Sequence, residues 1–251
     1  MNMPDSPCAS CFAASPNHEQ RSATVDMIVL HYTGMATAKG ALERLCDPEA
    51  KVSAHYLVYE DGAITQMVAE DRRAYHAGVS SWQGTTDINS RSIGIEIVNG
   101  GHDFGCPDFP PQQIEAVIRL CKDVQSRFQI PQANVLAHSD IAPSRKQDPG
   151  EKFPWETLHR ASVGLWAEPA AITDGIALRI GDESEAVGKL QTALRAYGYG
   201  VEVTNTFGEM TRDVVTAFQR HFRPARVDGA ADASTIETLE RLIGAKAKAA
   251  R

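Results

Sequence analysis

Several features that often reveal a function are missing from this sequence of 251 residues. There is no run of about 18 apolar residues, so no membrane-spanning helix is predicted. Basic clusters with interleaved aromatic residues are absent and the formal net charge is −7, so we do not expect nucleic-acid binding. The cysteines are odd in number and scattered, which does not indicate a disulfide framework. They are Cys8, Cys11, Cys46, Cys106 and Cys121.

Two short apolar segments each end at a histidine. Residues 28–31 read Ile-Val-Leu-His and residues 135–138 read Val-Leu-Ala-His, and turn-forming residues follow both, which predicts two buried strands. A strand end can hold an imidazole nitrogen ~2.0–2.1 Å from zinc. Asp148 could supply a third ligand, and the set His31, His138 and Asp148 leaves one tetrahedral position open for water, as in catalytic zinc sites. Either histidine taken alone is more often a core or surface residue.

A carboxylate interrupts a third apolar segment, residues 92–98, which reads Ser-Ile-Gly-Ile-Glu-Ile-Val. The two-residue period of a strand places the three isoleucines on one face and Glu96 on the other. Burying Glu96 costs free energy unless its charge is paired or the residue has a functional role. In a sheet with one face exposed, Glu96 would point into solvent. Lys146, separated from Asp148 by one residue, adds a second charged group close to the predicted ligands.

The segments 28–34, 53–58, 89–96 and 138–150, in this order, resemble a known family. They are similar to the zinc-dependent N-acetylmuramoyl-L-alanine amidases of the second amidase type, which share a fold with peptidoglycan recognition proteins. The similarity runs from about Ser15 to about Leu158.

The resemblance implies a role for each matched residue. His31, His138 and Asp148 would hold Zn²⁺, Glu96 would be the catalytic carboxylate, and Lys146 the second catalytic group. A further set is expected to line a groove for the glycan or peptide, although the strand position of the first member also fits a structural role. This set is His55, His76, Trp82, Asn89 and Arg91.

The order of predicted elements indicates an α/β catalytic domain over residues 1–162. Strands are predicted at 27–32, 54–59, 64–68, 92–98 and 135–138. Glu60-Asp61-Gly62 predicts a hairpin turn, and Pro110-Pro111 opens an amphipathic helix with Cys121 on its inner face. Parallel and hairpin connections together predict a mixed central sheet flanked by helices, like that of the peptidoglycan recognition proteins.

Residues 163–176 contain alanine and proline with little periodicity, which is typical of a linker. Over residues 177–245, apolar side chains recur at helical spacing, and this segment resembles the small three-helix peptidoglycan-binding module. Because such a stripe is first of all a core, only the resemblance implies a ligand. We expect this second domain to have its own core and to be separable from the first.

The resemblance implies a hydrolase that cleaves the amide bond between the lactyl group of N-acetylmuramic or anhydromuramic acid and L-alanine of the peptidoglycan stem peptide, in cell-wall recycling or turnover. The alternative is a non-catalytic peptidoglycan recognition protein. The expected partners are muropeptides and, through the second domain, polymeric cell wall. Because the first 25 residues show no convincing signal peptide, we expect a cytoplasmic protein, with a periplasmic or wall-associated location as the alternative.

Overall fold

The computed structural model describes residues 3–249. Eight helices and eight strands are assigned in this range, apart from short 3-10 turns. The strands are β1 (Cys11–Phe12), β2 (His18–Gln20), β3 (Met27–Tyr32), β4 (Tyr56–Val58), β5 (Ile64–Gln66), β6 (Arg72–Ala74), β7 (Ser92–Ile97) and β8 (Val135–Ala137). The helices are α1 (Ala38–Cys46), α2 (Ile88–Arg91), α3 (Pro111–Phe128), α4 (His138–Ile141), α5 (Trp155–Arg160), α6 (Glu185–Tyr197), α7 (Glu209–Phe222) and α8 (Ala233–Ala249).

Six strands form a central sheet in the order β1-β5-β4-β7-β3-β8. β3 runs parallel to both β7 and β8, whereas β4 and β5 pair antiparallel. β2 and β6 form a separate antiparallel ladder. The prediction of a mixed sheet flanked by helices is therefore confirmed.

One face of the sheet packs against α3. Ile93, Ile95 and Ile97 of β7 are fully buried in the same apolar cluster as Val117 and Cys121 of α3. The predicted face of the three isoleucines and the inner position of Cys121 are confirmed. The side chain between them, at position 96, therefore belongs to the opposite face of the sheet.

The last strand is shorter than predicted. β8 ends at Ala137, and His138 begins α4 instead of ending the strand. The backbone N–H of Ala137 donates to Oδ2 of Asp140 at 2.8 Å, a capping contact that favours the start of a helix at this point. His138 therefore lies in a strand-to-helix turn that is closed by the contact between Ala137 and Asp140.

The C-terminal part is a bundle of three helices, α6, α7 and α8, as predicted. Val187 and Leu194 of α6 are buried in one cluster with Val214 and Phe218 of α7 and Leu242 of α8. Between residues 3 and 249, no helix is at once long enough and apolar enough to span a bilayer.

The apolar core of this bundle continues into the first domain. Trp82 is fully buried and packs edge to face on Tyr197 and Tyr199, with ring centroids 5.9 and 5.1 Å apart. The N–H of Gln83 donates to the carbonyl of Gly198 at 2.8 Å. The prediction of a separate helical core is wrong, because periodicity reveals which side chains are apolar but not which segment covers them.

Half of the predicted linker is packed. Val163, Leu165 and Ala170 are buried, and the N–H of Ala170 donates to Oγ1 of Thr238 at 3.0 Å. Only residues 171–176 are exposed throughout. The division at 163–176 stays a prediction about domain bounds, but the first half of this segment packs against both the first domain and the helical domain.

We expect Trp82→Ala to lower the free energy of unfolding by about 3–5 kcal/mol, since a large buried ring is lost from the contact between the domains. Urea titration followed by circular dichroism measures the change. Ile176→Ala is the control, because Ile176 is 95% exposed and should change stability by at most about 0.5 kcal/mol. Equal stability of the two variants would contradict a shared core.

Candidate active site

The pairing of three strands brings the predicted catalytic residues to one edge of the sheet. His31 on β3 is directly opposite Glu96 on β7, and Leu30 is opposite Ala137, the residue before His138. The N–H of Ser139 donates to the backbone carbonyl of Asp148 at 3.0 Å. This contact folds the 142–150 segment back so that Asp148 reaches the two histidines.

Three possible ligand atoms converge there. Nδ1 of His31 lies 2.9 Å from Nδ1 of His138 and 3.0 Å from Oδ2 of Asp148, and the last two atoms are 2.9 Å apart. All three residues are buried and form a group that could hold a metal ion. Tetrahedral zinc with ligands at ~2.0–2.1 Å separates its ligand atoms by roughly 3.3 Å, so the set fits zinc after small shifts.

The other ring nitrogens are held by the protein. Nε2 of His138 donates to the carbonyl of Ala77 at 3.2 Å, and Nε2 of His31 lies 3.1 Å from Nδ1 of His76. Nε2 of His76 is in turn 3.1 Å from Oγ of Ser92. One proton arrangement satisfies every contact: each Nε2 carries a hydrogen, and Nδ1 of both His31 and His138 keeps its lone pair for a metal.

Burial and neighbouring charges keep His31 and Asp148, two of the candidate ligands, in the form that can bind a metal ion. Burial, together with His138, lowers the pKa of His31 to about 4, so its imidazole is neutral near pH 7. Burial alone would raise the pKa of Asp148, but its contacts with His138 and His31 outweigh this and hold that pKa below its usual range. A metal ligand must be deprotonated, and both residues meet this requirement.

The pKa of Glu96 is shifted in the opposite direction. Burial, and next the negative charge of Asp148, raise the pKa of Glu96 well above its usual range, against a lowering by Lys146. Its Oε2 has no hydrogen-bond partner among the described residues. A carboxyl group with a raised pKa and an unpaired oxygen next to a ligand cluster can both take up and deliver a proton.

These five residues share one cavity of about 400 Å³. Its lining includes His31, Glu96, His138, Lys146 and Asp148. The cavity therefore joins a possible metal site, a proton-transfer group and a cation in one place.

Comparison with known proteins agrees with this geometry. Residues 21–151 match the family model described as N-acetylmuramoyl-L-alanine amidase, and residues 183–239 match the one described as "Putative peptidoglycan binding domain". The N-acetylmuramoyl-L-alanine amidase AmiD of Escherichia coli (strain K12) is 39% identical over 231 residues, which cover 87% of this chain and 82% of AmiD. The chain belongs to the N-acetylmuramoyl-L-alanine amidase family.

Two solved structures of similar amidases extend over nearly the whole chain. The complex of Escherichia coli AmiD with the substrate anhydro-N-acetylmuramic acid-L-Ala-D-gamma-Glu-L-Lys has a TM-score of 0.76 and 36% identity, covering 90% of this chain and 92% of that one. AmpDH3 of Pseudomonas aeruginosa has a TM-score of 0.72 and 31% identity, covering 96% of this chain and 98% of that one. The family and fold predicted from the sequence are thus confirmed.

Of the five residues predicted to bind substrate, only His76 lines the cavity of this amidase. His55 is fully buried, and its Nδ1 accepts from the N–H of Gly94 at 2.9 Å. Trp82 packs against the helical domain. Oδ1 of Asn89 accepts from the N–H groups of His76 and Ala77.

Arg91, the fifth of these residues, is paired with Asp26, and its Nη1 donates to Oγ1 of Thr85 at 2.7 Å. The structure therefore gives His55, Trp82, Asn89 and Arg91 internal partners and does not bring them to the cavity. A polar or aromatic residue in a loop does not reveal in which direction its side chain packs.

Arg145 also lines the cavity, and sequence reasoning missed it. Nη2 of Arg145 donates to the carbonyl of Ala77 at 3.2 Å, the same oxygen that accepts from His138. The signal that could have indicated Arg145 is its position beside Lys146, a residue already predicted to belong to the site.

We expect His76→Phe to weaken zinc binding by about 10–100-fold, because the ring is kept while the acceptor for Nε2 of His31 is lost. Competition with a chromogenic chelator measures the affinity. His18→Ala is the control, since His18 accepts from Arg72 outside the cavity. Unchanged affinity in His76→Phe would mean that His31 does not need this contact.

Proposed function

We propose that this amidase is a zinc enzyme that hydrolyses the amide bond between the lactyl group of N-acetylmuramic or anhydromuramic acid and L-alanine of the stem peptide. The observation that supports it most is the convergence of His31, His138 and Asp148 at 2.9–3.0 Å beside the unpaired oxygen of Glu96. The substrate named in the AmiD complex, an anhydromuramyl peptide, contains this bond.

The donor set of two imidazoles and one carboxylate is typical of catalytic zinc sites, which keep one position open. When bound, zinc would polarise the substrate carbonyl and make water acidic enough to attack near neutral pH. Glu96 takes the proton of the attacking water. It then delivers this proton to the nitrogen of L-alanine, because an amine cannot leave as an anion.

Lys146 is the second catalytic group in this proposal. It lines the cavity, and its positive charge opposes the raised pKa of Glu96. A cation in this position stabilises the negative charge that develops on the lactyl carbonyl oxygen during attack.

The alternative of a non-catalytic recognition protein has no observation in its favour. The complete set of ligand residues is present together with Glu96 and Lys146, and the similar proteins are amidases. Release of L-alanine-linked peptide from purified muropeptide, with and without a chelator, tests the enzyme against this alternative.

The compartment and the preferred form of substrate stay predictions. A cytoplasmic amidase would act on soluble anhydro-muropeptides, whereas a periplasmic or wall-associated one would act on polymeric wall through its C-terminal domain. Mass spectrometry of the products from whole sacculi and from soluble anhydro-muropeptides separates these substrates. Products from sacculi alone would contradict a recycling role.

We expect His138→Ala to lose both bound zinc and activity while the sheet stays folded, because one of three anchors is removed. Metal analysis by mass spectrometry, with circular dichroism as the check on folding, measures this. His159→Ala is the control, since His159, on α5, is hydrogen-bonded to the carbonyl of Gly164 and does not line the cavity. One zinc per chain in folded His138→Ala would remove His138 from the ligand set.

We expect Glu96→Gln to keep zinc and lose turnover by about 10²–10⁴-fold, because the amide has nearly the same size but cannot accept a proton. Steady-state kinetics on a soluble muropeptide measure kcat. Glu115→Gln, on the exposed side of α3, should leave kcat unchanged. If Glu96→Gln retained half of the wild-type kcat, Glu96 would not be the proton-transfer group.

A further inference from the structure

A buried carboxylate lies two residues beyond the proposed ligand His138. Asp140 is 1% exposed and takes three hydrogen bonds. The N–H of Ala137 and Nδ1 of His221 donate to Oδ2 at 2.8 and 2.7 Å, and the hydroxyl of Tyr199 donates to Oδ1 at 2.7 Å. A buried carboxylate is stable only when such donors replace water.

Two of the three donors come from the helical domain. Tyr199 follows α6 and His221 is on α7, and both side chains are buried. Of these three donors, the N–H of Ala137 is the one that lies close to Asp140 along the chain. Without the helical domain, Asp140 would lose most of its hydrogen bonds and would have to move toward water.

Both donors are rigidly packed. The ring of His221 is stacked between Trp155 and Phe222, with centroids 3.7 Å away on each side. Tyr199 packs on Trp82 with a centroid distance of 5.1 Å. The helical domain therefore presents the two donors in a single arrangement to which Asp140 must conform.

A movement of Asp140 cannot leave His138 in place. The capping contact from Ala137 to Asp140 spans His138, and the N–H of Ala142 donates to the carbonyl of His138 at 3.0 Å. His138 thus belongs to the turn that Asp140 fixes. A small shift of this turn changes the 2.9 Å spacing between Nδ1 of His138 and Oδ2 of Asp148.

The same turn of α7 also contacts the chain on both sides of Asp148, the other proposed ligand. Nη2 of Arg220, the neighbour of His221, donates to Oε1 of Gln147 at 3.1 Å. Nε of Arg220 lies 3.8 Å from Oε2 of Glu151. Gln147 and Glu151 flank Asp148, so α7 contacts the chain close to both ligands.

We propose that Tyr199 and His221 are positioning residues for the metal site: by holding Asp140 they set the turn that carries His138. This inference rests on the proposed function of the cavity as a zinc amidase site. It makes the helical domain a part of the catalytic unit, in addition to any contact that this domain makes with the cell wall.

The test compares Tyr199→Phe, His221→Phe and the double variant with wild-type protein. Phe removes the donor in each case and keeps an aromatic ring. Tyr197→Phe is the matched control, because Tyr197 is a buried tyrosine of the same cluster whose hydroxyl makes no hydrogen bond within residues 3–249. The readouts are zinc affinity, the visible absorption of the cobalt(II)-substituted protein, and kcat and KM on a small soluble muropeptide.

We expect about tenfold weaker zinc binding in the double variant, at the low end of the ~10–100-fold effect of outer-shell changes. The cobalt absorption bands should shift, and kcat should fall by a similar factor while KM stays close to wild type. Tyr197→Phe should match wild type in all readouts. His221→Asn, whose amide N–H can stand in for Nδ1–H, should recover part of the affinity.

The inference is overturned if the folded donor-less variants keep wild-type zinc affinity, cobalt bands and kcat. It is also overturned if they lose only thermal stability, or lose activity only on insoluble wall. If His221→Phe does not fold, Tyr199→Phe decides, because it removes a single oxygen. A wild-type protein that binds zinc without hydrolysing muropeptide would refute the proposed function, whereas the metal readouts would still test the positioning.

Discussion

The parallel pairing of β3 with β7 and β8 is the constraint on which the rest of the site depends. It sets His31 opposite Glu96 and places Ala137, the residue before His138, opposite Leu30. Parallel strands carry their carboxyl ends to one edge of a sheet, where turns and loops can present polar side chains. A shift of one residue in any of these strands would send its functional side chain into the core beneath α3.

Burial acts on three neighbouring groups with different results because their partners differ. It lowers the pKa of His31 to about 4 and raises that of Glu96 well above its usual range. In Asp148 the contacts with two histidines outweigh it, so that pKa falls. One cavity thus brings together a neutral imidazole, an anionic carboxylate and a carboxyl group whose pKa is raised.

The sequence can predict the position of a residue that lies at the end of a predicted strand. It cannot predict the position of a residue that depends on a remote segment. His31, Glu96 and His138 lie at or near strand ends, so periodicity and the family resemblance are enough to place them. Trp82 and Arg91 cannot be placed in this way. Their positions depend on Tyr199 of a remote segment and on the partner Asp26, and one sequence carries no information about such pairings.

His76 shows the same limit on a smaller scale. It is predicted to line a groove for the glycan or peptide. Its ring lines the cavity, contacts His31 and lies directly over Gly94. A Cβ atom at position 94 would come within 2.4 Å of that ring. Because Gly94 has no side chain, the ring of His76 fits beside the strand and contacts the proposed ligand His31. This fit depends on the relative positions of two segments, which the sequence alone does not reveal.

The proposed ligands are thus supported by segments that lie progressively further away along the chain. The sheet and its adjoining turn provide the proposed ligand atoms, and the loop at His76 and Ala77 holds the second nitrogen of each imidazole. The helical domain contacts the turn behind His138. Each segment restricts the one that it supports, because a metal site needs its ligand atoms within a few tenths of an ångström of their positions. For that reason the C-terminal helices are more than an attachment to the cell wall. The core at Trp82 and the hydrogen-bond donors to Asp140 belong to the same interface between the two domains.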